Sequence, residues 1–105
     1  MNVSCEEVFG PVVTIQPYDD FGEAVGRVND SPYGLQAGVF THDQRKIDRA
    51  FREIEAGAVL VNETSYFRID NYPYGGVKDS GFGREGVRYA MESMTEPKVL
   101  VLAPS

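Results

Sequence analysis

The sequence holds one cysteine, one histidine and no run of basic residues. A lone cysteine excludes an internal disulfide and fits a reducing compartment. His42 has no neighbouring thiol in the sequence, so nothing points to a cysteine–histidine dyad. Ten Lys and Arg stand against sixteen Asp and Glu, a net charge of −6. That balance repels a polyanion, and nucleic acid is not an expected partner. No apolar run approaches the length of a bilayer span, and MNVSCEEVFG carries no signal-peptide pattern. The expectations are a cytoplasmic protein with no membrane partner and no metal site. Low-complexity stretches and linkers are absent as well.

What is present is ordinary globular composition, 42% hydrophobic and 25% charged over 105 residues. That is one domain's worth at most, with a thin stability margin. As part of a larger protein, a chain of this size leaves apolar surface uncovered.

The order of elements follows from periodicity. Val12, Val13, Thr14 and Ile15 form a β-branched run stopped by Pro17. Asp20 and Glu23 are spaced as a capping box, and Phe21, Ala24, Val25 and Val28 share one helical face behind them. Asn29, Asp30, Ser31 and Pro32 end that helix. Residues 35–40 read as a second strand. Thr41 and Gln44 suggest a second capping box, with His42 in the first helical turn. Ile47, Ala50, Phe51 and Ile54 give the second helical face, and Gly57 is placed as its left-handed C-cap. Residues 58–61, Ala-Val-Leu-Val, read as a strand covered on both faces. The fold class expected is α/β: a three-stranded parallel β-α-β-α-β unit. A long Gly/Pro loop over residues 63–80 follows. Val87, Ala90, Met91 and Met94 then mark a third helix, stopped by Pro97, and residues 99–102 read as a C-terminal strand.

GFGREG at residues 81–86 satisfies the G-x-G-x-x-G spacing that holds a dinucleotide pyrophosphate. The pattern needs a strand directly before it and a carboxylate at the end of the next strand. Residues 71–80 read as loop, and the chain after the next strand is Ala103, Pro104 and Ser105. Both requirements fail, and a glycine turn entering a packed helix is the reading preferred.

Wider stretches carry a more specific signal. CEEVFGPVV at residues 5–13, Tyr33-Gly34-Leu35, Gly57-Ala58-Val59, Val61-Asn62 and YPYGGVKDSGFGREGVRYAMESMTEPK occur in one order and spacing. Together they resemble the C-terminal portion of the NAD(P)-dependent aldehyde dehydrogenase superfamily over nearly the whole chain. The resemblance implies oxidation of an aldehyde to a carboxylic acid through a cysteine thioester, with NAD or NADP as hydride acceptor. It places the nucleophile, the general-base glutamate and the main dinucleotide-binding domain outside the matched region. No catalytic residue is therefore expected in this chain, nor tight cofactor binding by the chain alone.

The resemblance also implies a division of the sequence. Residues 1–97 correspond to the distal part of the catalytic domain. Residues 98–105 correspond to an oligomerisation strand, with Val99, Leu100, Val101 and Leu102 pairing with a second copy. Glu7 matches the glutamate that accepts hydrogen bonds from the nicotinamide-side ribose, and Phe9 the aromatic residue beside the cofactor. Tyr66, Phe67 and Arg68 match the substrate-entrance loop. Arg68 would face an acidic substrate group, or only Asp70. Cys5 lies beside Glu6 and near Glu7, which disfavour a thiolate, and is read as a non-catalytic thiol. In this reading the glycines of GFGREG serve close backbone packing. Two rival readings are a freestanding nucleotide-binding module built on residues 81–86 and a structural or assembly subunit.

Overall fold

The computed structural model describes Val3 and residues 6–104. Cys5 lies outside the described residues. The ordered centre begins at helix α1, Phe21–Asn29, and Asp20 caps it as expected, its Oδ1 accepting the Glu23 N–H at 2.9 Å. Glu23 does not return the bond of a capping box. Its carboxylate accepts from Arg27 one turn on, at 2.6 Å.

Two short strands, β1 (Tyr33–Gly34) and β2 (Gln36–Val39), follow. Helix α2, Gln44–Glu53, then crosses to β3, Ala58–Val61, which pairs parallel to β2 from Gln36↔Ala58 to Val39↔Val61. Asn62, at a left-handed φ of 55°, closes the end of this ladder. Its side-chain oxygen accepts from the Thr41 N–H at 2.9 Å, and its amide donates back to the Thr41 carbonyl at 3.1 Å. The core lies where α1 and α2 meet the sheet: Val25, Val39, Ala50 and Ile54 are buried, with Phe21, Ala37, Ala56 and Val59 against them. Each Val or Ile so buried contributes roughly 1.5–3 kcal/mol relative to exposure.

The sequence reading needs correcting at several places. The three-stranded parallel unit is present only as its second half, β2–α2–β3. Residues 12–15 join no ladder, and Val13 is 84% exposed, because no described strand lies beside them. The face of β3 is likewise half-covered rather than closed on both sides. Asp43, not Thr41, caps α2, accepting the Arg45 N–H at 2.9 Å, and His42 precedes the helix rather than entering its first turn. A short carboxylate immediately before the first turn outcompetes a threonine two residues back; the Thr41 hydroxyl instead accepts from the Asp43 N–H. Phe51, expected in the helical face, is exposed.

Gly57 is not a left-handed cap either. Ile54 caps α2, its N–H bonding the Ala50 carbonyl. Glycine is required at 57 because a Cβ there would collide with the Gly75 carbonyl oxygen. That contact ties the loop of residues 63–80 to the start of β3. The loop contains β4, Val77–Lys78, antiparallel to β1 through Tyr33↔Lys78 and Gly34↔Val77. The last helix, α3, is Val87–Ser93, and its apolar Val87 and Met91, with Met94 just beyond, face outward. Residues 99–102 form no strand, and Leu100 is 82% exposed. The Cα radius of gyration is 18.6 Å, against about 13 Å for a compact chain of this length, and residues 6–20 and 91–104 are exposed throughout.

Candidate functional site

Two clefts flank the turn between β1 and β2. The first, about 710 Å³, is lined by residues 30–33 and Leu35, by Asp79 and Ser80, and by Glu6 and Glu7. The chain folds this way because the end of α1 and the segment after β4 are bonded directly. The Asp79 N–H donates to the Pro32 carbonyl at 2.9 Å, and the Gly34 N–H to Ser80 Oγ at 2.9 Å. Among the described residues, four carboxylates line this cleft and no Lys or Arg does. Such a lining disfavours a pyrophosphate and suits hydroxyl donors or a cationic ring. Glu7 lies on this cleft. Phe9 is not brought to the cleft; its side chain is 94% exposed.

The second cleft, about 590 Å³, gathers the three loop residues singled out by sequence. Tyr66, Phe67 and Arg68 line it with Ser65, Tyr74, Leu35 and Gln36. Gln36 on β2 anchors the loop, its amide donating to the Phe67 carbonyl and to the Tyr72 hydroxyl, each at 3.2 Å. Arg68 does not pair with Asp70. Its guanidinium stacks over the Tyr74 ring, 4.2 Å from the centroid, and its Nη2 reaches Glu85 Oε2 at 3.2 Å. Glu85 is already held beside Tyr74 by a backbone bridge, which brings its carboxylate to the cation, so proximity across the fold decides over proximity in sequence. Leu35 borders both clefts.

GFGREG is a glycine turn entering α3, and close approach is part of it only at Gly86, where a Cβ would lie 3.1 Å from the Tyr89 ring. Gly81, Gly83 and Gly86 all have positive φ, of 123°, 73° and 120°. A Cβ at Gly81 or Gly83 would meet open space, so conformation and not close packing calls for glycine there. The strand before it is β4, two residues long and antiparallel to its partner, not the parallel strand a pyrophosphate site is built on. The helix after it has seven residues and no side-chain cap. Arg84 turns back to bond the Gly76 carbonyl at 3.0 Å.

Resolved pKa shifts lie away from both clefts. Hydrogen bonds from the Arg45 side chain and backbone hold the Asp43 carboxyl below its ordinary value, and that pairing raises Arg45. The Glu92 carboxylate raises Arg88. Among the described residues no cluster of three or more His, Cys, Asp or Glu could hold a metal, and no helix is long and apolar enough to cross a membrane. The periodicity reading missed Leu35, Tyr74, Ser80 and Glu85 as lining or tethering residues. Their signal in the sequence is the resemblance: Leu35 lies in Tyr33-Gly34-Leu35, and the other three lie inside the Y-G-G-x-K-x-S-G-x-G-R-E stretch.

The profile described as the aldehyde dehydrogenase family matches residues 1–100. A 3-sulfolactaldehyde dehydrogenase of Priestia aryabhattai is 54% identical over 102 residues, covering 97% of this chain and 21% of that protein. The crystal structure of aldehyde dehydrogenase 21 from Physcomitrella patens, in complex with the reaction product succinate, superposes with a TM-score of 0.93. It is 52% identical over 96% of this chain and 21% of its own. An NAD+ complex of an aldehyde dehydrogenase from Bacillus cereus gives a TM-score of 0.85 at 40% identity, over 91% of this chain and 19% of its own. The chain thus spans about a fifth of the length of the proteins it matches.

Proposed function

The chain belongs to the aldehyde dehydrogenase family, and from that membership we propose that it is a segment of an enzyme oxidising an aldehyde to a carboxylic acid with NAD or NADP. The cysteine that forms the thioester, and the base that hydrolyses it, lie outside these 105 residues. This segment supplies three things: cofactor contacts, part of the aldehyde entrance and a subunit contact. The observation that carries the reading is the shared wall at Leu35, with Glu7 on the cleft to one side and Tyr66, Phe67 and Arg68 on the cleft to the other.

Glu7 accepts hydrogen bonds from the ribose hydroxyls and orients the nicotinamide end of the cofactor. Phe9 closes over that end once the remainder of the enzyme surrounds it. The nicotinamide, when bound, accepts the hydride; the residues here hold and orient. Tyr66 and Phe67 exclude water from the entrance. Arg68 recognises an anionic group on the aldehyde, exchanging Glu85 for it. The succinate in the Physcomitrella complex and the sulfonate in the name of the Priestia relative support an anionic substrate class.

Residues 1–97 act as the distal part of the catalytic domain and residues 98–105 as the oligomerisation strand. Val99, Leu100, Val101 and Leu102 pair with a second copy, and residues 12–15 complete the three-stranded parallel order. The cytoplasm is the proposed location. Taken alone, the segment does not turn over aldehydes.

Steady-state kinetics of the intact enzyme test the proposal. Glu7→Gln raises the cofactor KM roughly tenfold, and Arg68→Met raises the KM of an anionic aldehyde roughly tenfold while sparing a neutral one, each about 1.4 kcal/mol. Equal effects of Arg68→Met on both aldehydes would remove the anion role. Turnover by the purified segment would remove the division of labour, and a monomeric enzyme in light scattering would remove the tail contact.

A further inference from the structure

Lys78 sits behind the first cleft and does not line it. Its backbone takes a left-handed φ of 55°, rare for a residue with a side chain. That conformation persists only where surrounding contacts over-determine it. Here they do. The ammonium donates to the Asn29 carbonyl at 2.7 Å and the Ser31 carbonyl at 3.2 Å, and it forms an ion pair with Glu55 Oε2 at 2.8 Å. The side chain is only 24% exposed.

Those partners lie on separate elements. Asn29 is the last residue of α1, and its carbonyl lacks an intrahelical donor and sits at the negative end of the helix dipole. Ser31 begins the wall of the first cleft, and Glu55 lies between α2 and β3. Asn29 is itself locked to that same junction, its amide donating to the Glu53 carbonyl at 2.6 Å and its oxygen accepting the Glu55 N–H at 2.9 Å. The two residues after Lys78 bond the same wall through Asp79 to Pro32 and Ser80 to Gly34. One ammonium therefore ties the 30–35 segment, which lines the same cleft as Glu7, to the end of α1 and to the junction between α2 and β3.

We infer that Lys78 is a positioning residue for the cofactor cleft: it holds the 30–35 wall at the spacing from Glu7 that the nicotinamide-side ribose requires. The inference rests on the proposed placement of the cofactor at Glu7. A compact, three-donor cation suits the task, since a planar guanidinium cannot converge on three partners in different directions.

The test uses the intact enzyme at a temperature well below its unfolding midpoint. Lys78→Met is expected to raise the KM for NAD or NADP roughly tenfold, while the KM for aldehyde changes less than twofold. A purely structural role would lower the unfolding midpoint and leave that split unmoved, which would overturn the inference. If Lys78→Met does not fold, Lys78→Gln keeps one donor group on a shorter stem and is read by the same split, with a rise of at least threefold expected. Failure of both variants to fold would make Lys78 a folding residue and end the inference. Glu7→Gln separates the two levels. If it leaves the cofactor KM unchanged, the cofactor placement fails whatever Lys78 does. If it raises that KM and a folded Lys78 variant does not, only the role of Lys78 fails.

Discussion

The region from Asp20 to Asn62 and the two ends of the chain carry similar runs of Val, Ile and Leu, yet they meet different fates. In the central region Val39 and Ile54 are buried and β2 pairs with β3. At the ends, residues 12–15 and 99–102 have the same strand-forming composition and make no ladder. The difference is not propensity. A β-branched run becomes a strand where a partner strand and a covering helix stand beside it, and α2 delivers both for β2 and β3 within about twenty residues. The projecting ends have neither among the described residues.

The comparison breaks most sharply at Gly57. Gly57→Ala drives a methyl into the Gly75 carbonyl, with backbone on both sides and no side chain free to yield. The expected cost is on the order of 4 kcal/mol, read as a large fall in the unfolding midpoint of the protein. A change within the error of the measurement would mean that the loop is not seated on β3.

Next comes a matched pair. Ile54→Ala in the core is expected to cost about 3 kcal/mol, whereas Val13→Ala in the projecting end costs less than about 0.5 kcal/mol in the segment as it stands. In the intact enzyme the proposed pairing of residues 12–15 raises the second figure toward the first. Comparing the two variants by denaturant unfolding in segment and enzyme sharpens the contrast, and equal costs in the segment would abolish it.

The smallest effect is the acid response of Asp43. Its folded carboxyl titrates below the ordinary value, so its cap stabilises fully at neutral pH and fades as pH falls through the carboxylate range, from about pH 5 downward. Asp43→Asn keeps an acceptor for the Arg45 N–H and flattens that part of the profile. Because solvent reaches the pair, with the Arg45 side chain almost fully exposed, the change is a slight one in unfolding midpoint against pH, and an identical slope in both proteins would rule it out.

Local chemistry was legible in the sequence where it was self-contained. The Asp20 cap, the shared face of Val25 with Phe21, and the burial of Ala50 and Ile54 follow from spacing alone. Tyr66, Phe67 and Arg68 meet at one cleft, although their place in a loop without a period came only through the family resemblance. What escaped reading depends on distant chain. Gly57 reads as a cap because its neighbour Gly75 is invisible to periodicity, and the contact of Arg68 with Glu85 is not among the pairings read, because Glu85 arrives only through the bridge to Tyr74. Phe51 reads as part of the helical face and residues 12–15 as a strand, yet among the described residues no element covers the first or pairs with the second.

The Lys78 node also has a meaning in time. The bonds that close β2 onto β3, such as Thr41 to Asn62, span 21 residues, whereas those that close the first cleft, Ser80 to Gly34 and Lys78 to Asn29, span 46 and 49. Longer loops lose more entropy on closing, and contacts distant in sequence form late. The wall of the first cleft is therefore expected to be the last local piece to set during folding and the first to open under stress. Hydrogen exchange should reach the Gly34 amide before it reaches the amides of the β2–β3 ladder.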